Sequence, residues 1–212
     1  TNRVFALANG AVFLNFLATY GSQYLLPLYL QCNRGMSPLE AGKITLYQPL
    51  MQVFFSPLAG WLASRVPPAW VATGGMGLIA AALVLFSRLT EQTPLSLLVT
   101  GLVLVGVGIS FFSAPNTSII MQAAPPERRG MAAASNSLMR NLGMQCSIIL
   151  CGVAFLLALG QVKGIPPERY GDMLGATRRC FAFFAGVCCL GMVLSLARTR
   201  RGPEGGGTGE EA

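Results

Sequence analysis

The chain has 212 residues with 15 Lys and Arg against 8 Asp and Glu, a formal net charge of +7, yet only 11% of it is charged and 53% is hydrophobic. With a mean hydropathy of +0.56, this excludes an ordinary water-soluble helical domain, whose helices need polar outer faces. It also excludes a nucleic-acid partner, because the basic residues stand singly or in pairs at helix ends and build no aromatic-interleaved basic face.

Six apolar stretches follow in chain order, at about 5–31, 41–62, 70–89, 96–121, 129–159 and 177–197. Each holds roughly 20 or more mostly uncharged residues, enough at about 1.5 Å rise per residue to cross a hydrocarbon layer about 30 Å thick. The pattern predicts an all-α membrane protein with six transmembrane helices, lipid being its solvent. Residues 1–201 read as one transmembrane domain, since the linkers are short and marked by Pro or Gly. The Gly- and Glu-rich stretch 202–212 reads as a disordered cytoplasmic tail. No charged leader or cleavage pattern precedes the first helix, and the chain opens on Thr1, which fits a start inside a longer coding sequence. Trp61 and Trp70 flank one linker, as aromatic anchors at one membrane face would. With the amino terminus inside, the loop Lys and Arg residues divide evenly between the two sides, so charge does not set orientation.

Chemistry-bearing residues are sparse. All eight acids lie in linkers, helix ends or the tail, and histidine is absent, so the usual buried proton carriers are missing. No paired carboxylates, metal cluster or nucleophile triad is present, and neither enzyme activity nor a metal or cofactor is expected. The six cysteines form no C-x-x-C, and five lie within the last two helices as small apolar packing groups.

Uncharged polar residues do recur at helical spacing, where lipid makes them costly unless they face protein or water. Thr45, Gln48, Gln52 and Ser56 share one face of the second helix; Phe13, Phe16, Tyr20, Gln23 and Tyr24 form a stripe on the first; Gly106, Ser110, Ser113 and Thr117 form another on the fourth. Such faces line a cavity or bond packed helices together, and spacing leaves both open. Arg140 is the one formal charge well inside a helix, about 18 Å beyond the start of the fifth. An intramembrane Arg costs on the order of 3 kcal/mol, so a partner or a wet cavity is implied. No carboxylate is well placed for it, leaving Asn136, Asn141, Gln145, backbone carbonyls or an acid on another chain segment as candidates. Pro27, Pro49 and Pro115 each remove a backbone hydrogen bond within a helix and invite bends. Pro38-Leu-Glu-Ala-Gly42 and Pro126-Glu-Arg-Arg-Gly130 introduce the second and fifth helices, as a 3+3 inverted repeat would.

The runs Leu26-Pro-Leu-Tyr-Leu-Gln31, Gly35-Met-Ser-Pro-Leu-Glu-Ala-Gly42, Pro49 and Ser56-Pro-Leu-Ala-Gly60 resemble the second half of major facilitator superfamily transporters. So do Gly106-Val-Gly108, Pro115-Asn116, Ala124-Pro125, Arg129-Gly130 and Arg140-Asn-Leu-Gly143. The nearest branch is the fourteen-helix drug:proton antiporters, the multidrug efflux permeases, and the similarity spans about residues 5 to 160. The resemblance implies a half bundle with a 3+3 inverted repeat, both ends cytoplasmic in a cell membrane, a missing amino-terminal half as partner, and alternating access. Small amphipathic substrates and protons are its implied cargo. The family's loop motif, Gly-x-Leu-x-Asp-Arg, is similar to Gly60-Trp-Leu-Ala-Ser64-Arg65, with Ser64 in place of the acid, which puts its charge-based gating contact in doubt. The residues expected along the pathway are Tyr20, Gln23, Tyr24, Gln48, Gln52 and Asn116, with Arg140 as a structural or coupling charge. A complete six-helix protein acting as a homodimeric transporter or channel, and a non-transporting membrane scaffold, are the rival readings.

Overall fold

The computed structural model describes residues 3–160 and 169–199, so the tail expected at 202–212 lies outside the described residues. The described residues form an all-α bundle. Its helices are α1 (Arg3–Cys32), α2 (Pro38–Thr45), α3 (Tyr47–Arg65), α4 (Pro68–Phe86), α5 (Leu95–Gln122), α6 (Arg129–Leu159) and α7 (Tyr170–Thr199), with a 3-10 turn, Pro126–Arg128, before α6. By length and composition, the segments Pro68–Phe86, Leu95–Gln122, Pro126–Leu159 and Tyr170–Val193 are apolar enough to cross a membrane. At 30 and 19 residues, α1 and α3 have comparable length, and together with α5 and α6 they face the cavities described below.

The stretch read as one helix over 41–62 is two, parted at Leu46. Pro49 explains the interruption: it has no N–H for the Thr45 carbonyl, and its ring crowds that oxygen. Thr45 adds to the loosening, its hydroxyl donating back to the carbonyls of Ala41 and Gly42 at 3.1 Å. The short α2 is held at its start by a reciprocal cap. Ser37 Oγ accepts from the Glu40 N–H at 3.3 Å, while Glu40 Oε2 accepts from the Ser37 N–H at 2.9 Å and from its hydroxyl at 2.8 Å.

Those bonds to Ser37 hold the Glu40 carboxyl below its usual range, with Lys43 adding a smaller pull. A carboxylate with a lowered folded pKa contributes stability that is present above its unfolded value, about 4.3, and lost as pH falls through the folded value. Hydrogen exchange is therefore expected to show the first turn of α2 protected at neutral pH. The Ser37→Ala variant should exchange faster there at neutral pH, and that excess should vanish once Glu40 is protonated in both proteins.

Packing follows a two-fold pattern. α1 lies against α6 and α7 as α5 lies against α3 and α4, and α4 meets α7 across the middle. The sequence carries the same relation: one constant separation joins Pro27 to Pro115, Pro38 to Pro126, Gln48 to Asn136, and Gln52 to Arg140. Three spans per repeat put the second copy in the opposite sense to the first, the 3+3 inverted arrangement.

Small residues let these helices meet. A Cβ on Gly75 of α4 would lie 2.6 Å from the Gly108 carbonyl of α5, and one on Gly108 would lie 2.7 Å from the Gly75 carbonyl. At the α3–α5 contact a Cβ on Gly106 would meet the Gln48 carbonyl, and at the α1–α6 contact one on Gly143 would sit 2.6 Å from the Phe13 carbonyl. Around these crossings Met76, Ile79, Leu83, Phe86, Leu102, Val105, Phe112 and Phe181 form the dry centre, with Phe86 and Phe181 rings 5.3 Å apart. Long-range polar bonds fasten the bundle: Thr73 of α4 with Ser195 of α7 at 2.8 Å, and the Tyr29 hydroxyl of α1 to the carbonyl of Thr90 in the α4–α5 linker at 2.6 Å.

Candidate functional site

Two neighbouring cavities open between α1, α3, α5 and α6. One, of about 240 Å³, is lined by Ser22, Gln23, Pro27, Thr45, Gln48, Pro49, Gln52 and Leu102. The other, of about 180 Å³, is lined by Phe16, Thr19, Tyr20, Gln23, Gln52, Ile109, Arg140 and Met144. Gln23 and Gln52 belong to both, so their amides form the partition.

Local rules explain why these side chains face inward. On α1, Phe16, Tyr20 and Gln23 recur at helical spacing on the face opposite Ala11, Ala18, Leu25 and Tyr29, which are fully buried. Thr19 lies between them, its hydroxyl donating to the Asn15 carbonyl at 2.7 Å. On α3, Gln48 and Gln52 are one turn apart; Gln48 is buried and Gln52 half-buried. The backbone under Gln52 is anchored by α5, where Ser110 Oγ donates to the Gln52 carbonyl at 3.0 Å. Arg140 projects from α6, exposed, with its guanidinium carbon 4.8 Å from the centre of the Phe16 ring. This is a cation–π contact, and none of the described acids, Glu40, Glu91, Glu127 and Asp172, lines either cavity.

The expected pathway residues therefore fall into groups. Tyr20, Gln23, Gln48 and Gln52 line the cavities, and Arg140 stands with them. Tyr24 is exposed on the same helix, its ring 6.5 Å from that of Phe155 on α6. Asn116 lines neither cavity: it is fully buried, and its Nδ2 donates to the Ala8 carbonyl at 3.3 Å, joining α5 to α1. The stripe on α5 likewise packs, Gly106 under Gln48 and Ser110 under Gln52, with Asn136 Nδ2 donating to Thr117 Oγ1 at 3.4 Å. At the loop motif, Gly60 has open space around it. Ser64 Oγ donates to the Trp61 carbonyl at 2.7 Å, and Arg65 stacks on the Trp61 ring at 4.5 Å. Both bonds stay within one turn of α3, the arrangement left when the acid of the motif is absent.

Two features were not legible in the sequence. Phe16 was part of the α1 stripe, but that it seats the Arg140 guanidinium only the crossing of α1 and α6 reveals. Asn15 is fully buried one turn from Thr19, and neither amide atom has a hydrogen-bond partner among the described residues. A polar residue in an apolar run was its only signal. No group of His, Cys, Asp or Glu among the described residues is arranged to hold a metal ion.

Comparison with known proteins places this architecture. The chain is 26% identical over 200 residues to the riboflavin transporter RibZ of Clostridioides difficile, covering 94% of this chain and 44% of that protein. It is 30% identical over 148 residues to the multidrug resistance protein Stp of Mycobacterium tuberculosis, covering 70% of this chain and 27% of that one. It is 28% identical over 172 residues to a tetracycline resistance determinant of Streptomyces rimosus, covering 80% and 50%. The chain thus spans about half or less of the length of these curated relatives. The Major Facilitator Superfamily pattern matches residues 9–212, and the chain belongs to that superfamily of membrane transporters.

Proposed function

We propose that this chain forms the carboxyl-terminal half of a multidrug-type efflux transporter in the cell membrane, moving small amphipathic compounds outward against proton entry by alternating access. The observation that carries the reading is a polar cavity pair bounded by α1, α3, α5 and α6, in a chain that spans less than half of the riboflavin transporter it matches. Support also comes from the surface. Val53, Phe54 and Leu50 of α3 and Leu138, Leu142 and Ile149 of α6 are exposed apolar side chains, on the two helices that contribute Gln52 and Arg140. A second six-helix bundle, the amino-terminal half, covers that side and closes the pathway. Rocking of the two bundles then exposes the cavities to each membrane face in turn.

In this reading the cavity walls bind the cargo and the charge-coupling acids reside in the other half, since no acid of this chain reaches membrane depth. The termini of this segment lie in the cytoplasm. The test is dye transport by the whole gene product in everted membrane vesicles with an imposed pH gradient. A one-unit gradient supplies about 1.4 kcal/mol per proton, enough for roughly a tenfold concentration ratio. Accumulation should collapse to the equilibrium level when nigericin dissipates the gradient. Accumulation that survives dissipation rules out proton antiport, and absence of any dye movement rules out the transport reading.

A further inference from the structure

We infer that this half-site selects anionic amphipaths, with Arg140 as the anion-binding residue and Tyr20, Gln23 and Gln52 as its supporting donors. The inference rests on the transport reading for its biological meaning, and on the cavity alone for its chemistry.

Three observations carry it. Arg140 borders the smaller cavity and lies over the face of Phe16 at 4.8 Å, which holds the guanidinium in place without neutralising it. The remaining polar groups around it are hydroxyls and amides able to donate: Tyr20, Gln23 and Gln52, with Thr19 already donating to its own helix. The lining of both cavities contains no carboxylate, so an incoming cation meets a positive charge that no described acid offsets there. That positive charge works for an anion and against a cation.

The internal two-fold gives the arrangement a reason. Gln52 of α3 and Arg140 of α6 occupy equivalent places in the two repeats and border the same cavity. One repeat supplies a neutral amide and the other a charge, so the symmetric frame becomes an asymmetric site. A planar guanidinium takes a carboxylate through two parallel hydrogen bonds, with an amide opposite to complete the oxygen's coordination. The adjoining cavity, walled by Pro27, Pro49 and Leu102 together with Ser22, Thr45 and Gln48, gives room for the rest of the molecule. Together the two reach the lower end of the range for small-ligand pockets, about 300–1,000 Å³.

The test uses the full-length protein and two xanthene dyes of opposite charge, fluorescein and rhodamine 123. In anisotropy titrations of purified protein, the wild type should bind fluorescein at least about tenfold more tightly than rhodamine 123, as one charge-assisted contact implies. Arg140→Gln should weaken fluorescein binding by about ten- to a hundredfold and leave rhodamine 123 binding unchanged or tighter, while Arg140→Lys retains part of the preference. Equal binding of the two dyes by the wild type, binding of neither, or an equal loss of both in Arg140→Gln overturns the inference. The wild-type comparison stands even where a variant fails to fold. Flux of the same dyes into vesicles separates this from the transport reading. Anion-selective binding without flux sinks transport and keeps the site; flux indifferent to dye charge does the reverse.

Discussion

Gly143→Ala is expected to lower the thermal stability of the intact protein in detergent and to reduce its transport, although it adds one methyl group. A Cβ at that position would lie 2.6 Å from the Phe13 carbonyl, 3.1 Å from the Leu17 nitrogen and 3.2 Å from the Phe16 Cβ. Two of those atoms are backbone, which no rotamer change can move, so α6 must shift away from α1. Overpacking of this kind costs about 1–3 kcal/mol. Arg140 sits one turn before Gly143 on α6, so the same shift draws its guanidinium off Phe16 and out of the cavity. Gly152→Ala on the same helix is the control: nothing lies within 4 Å of its Cβ position, and replacing a helical Gly there should be neutral or gain about 0.5–1 kcal/mol. Equal melting temperatures for the two variants would refute the close approach of α1 and α6.

Gln52→Trp is expected to abolish transport while leaving the bundle folded. Gln52 borders both cavities and is half-buried, so an indole there projects into open space. It fills the passage between the 180 and 240 Å³ chambers. Substrate that must bury most of its surface against these walls then has no room, and flux should fall about tenfold or more. Ser56→Trp, one turn further along α3 at an exposed position lining neither cavity, should transport as the wild type does. Wild-type flux by Gln52→Trp, with normal expression and melting, would remove these cavities from the substrate route.

The sequence showed the bundle because the bilayer imposes a strong rule. Six apolar stretches stand out, and short Pro- and Gly-marked linkers separate them. It also showed that Tyr20, Gln23, Gln48, Gln52 and Arg140 were expensive to place in lipid and therefore had to face something. It could not show what. A polar side chain at helical spacing has the same pattern whether it lines a cavity or binds a neighbouring helix. Asn116 and Gln52 look alike in the chain, yet one donates to the Ala8 carbonyl and the other borders open space. The break at Leu46 was half-legible: Pro49 announced a lost hydrogen bond, but a mere kink has the same signature as two separate helices.

Composition and period by themselves determined an all-helical, lipid-embedded chain with one stranded internal charge, because hydrophobic length and the cost of buried polarity are properties of a single segment. Which polar residues share a cavity, that Phe16 seats Arg140, and that Gln52 and Arg140 border one cavity were decided only by tertiary structure. Those facts depend on the close approaches at Gly106 and Gly143, which set how neighbouring helices cross. Crossing geometry is a property of pairs of surfaces, and a linear pattern of residues does not contain it.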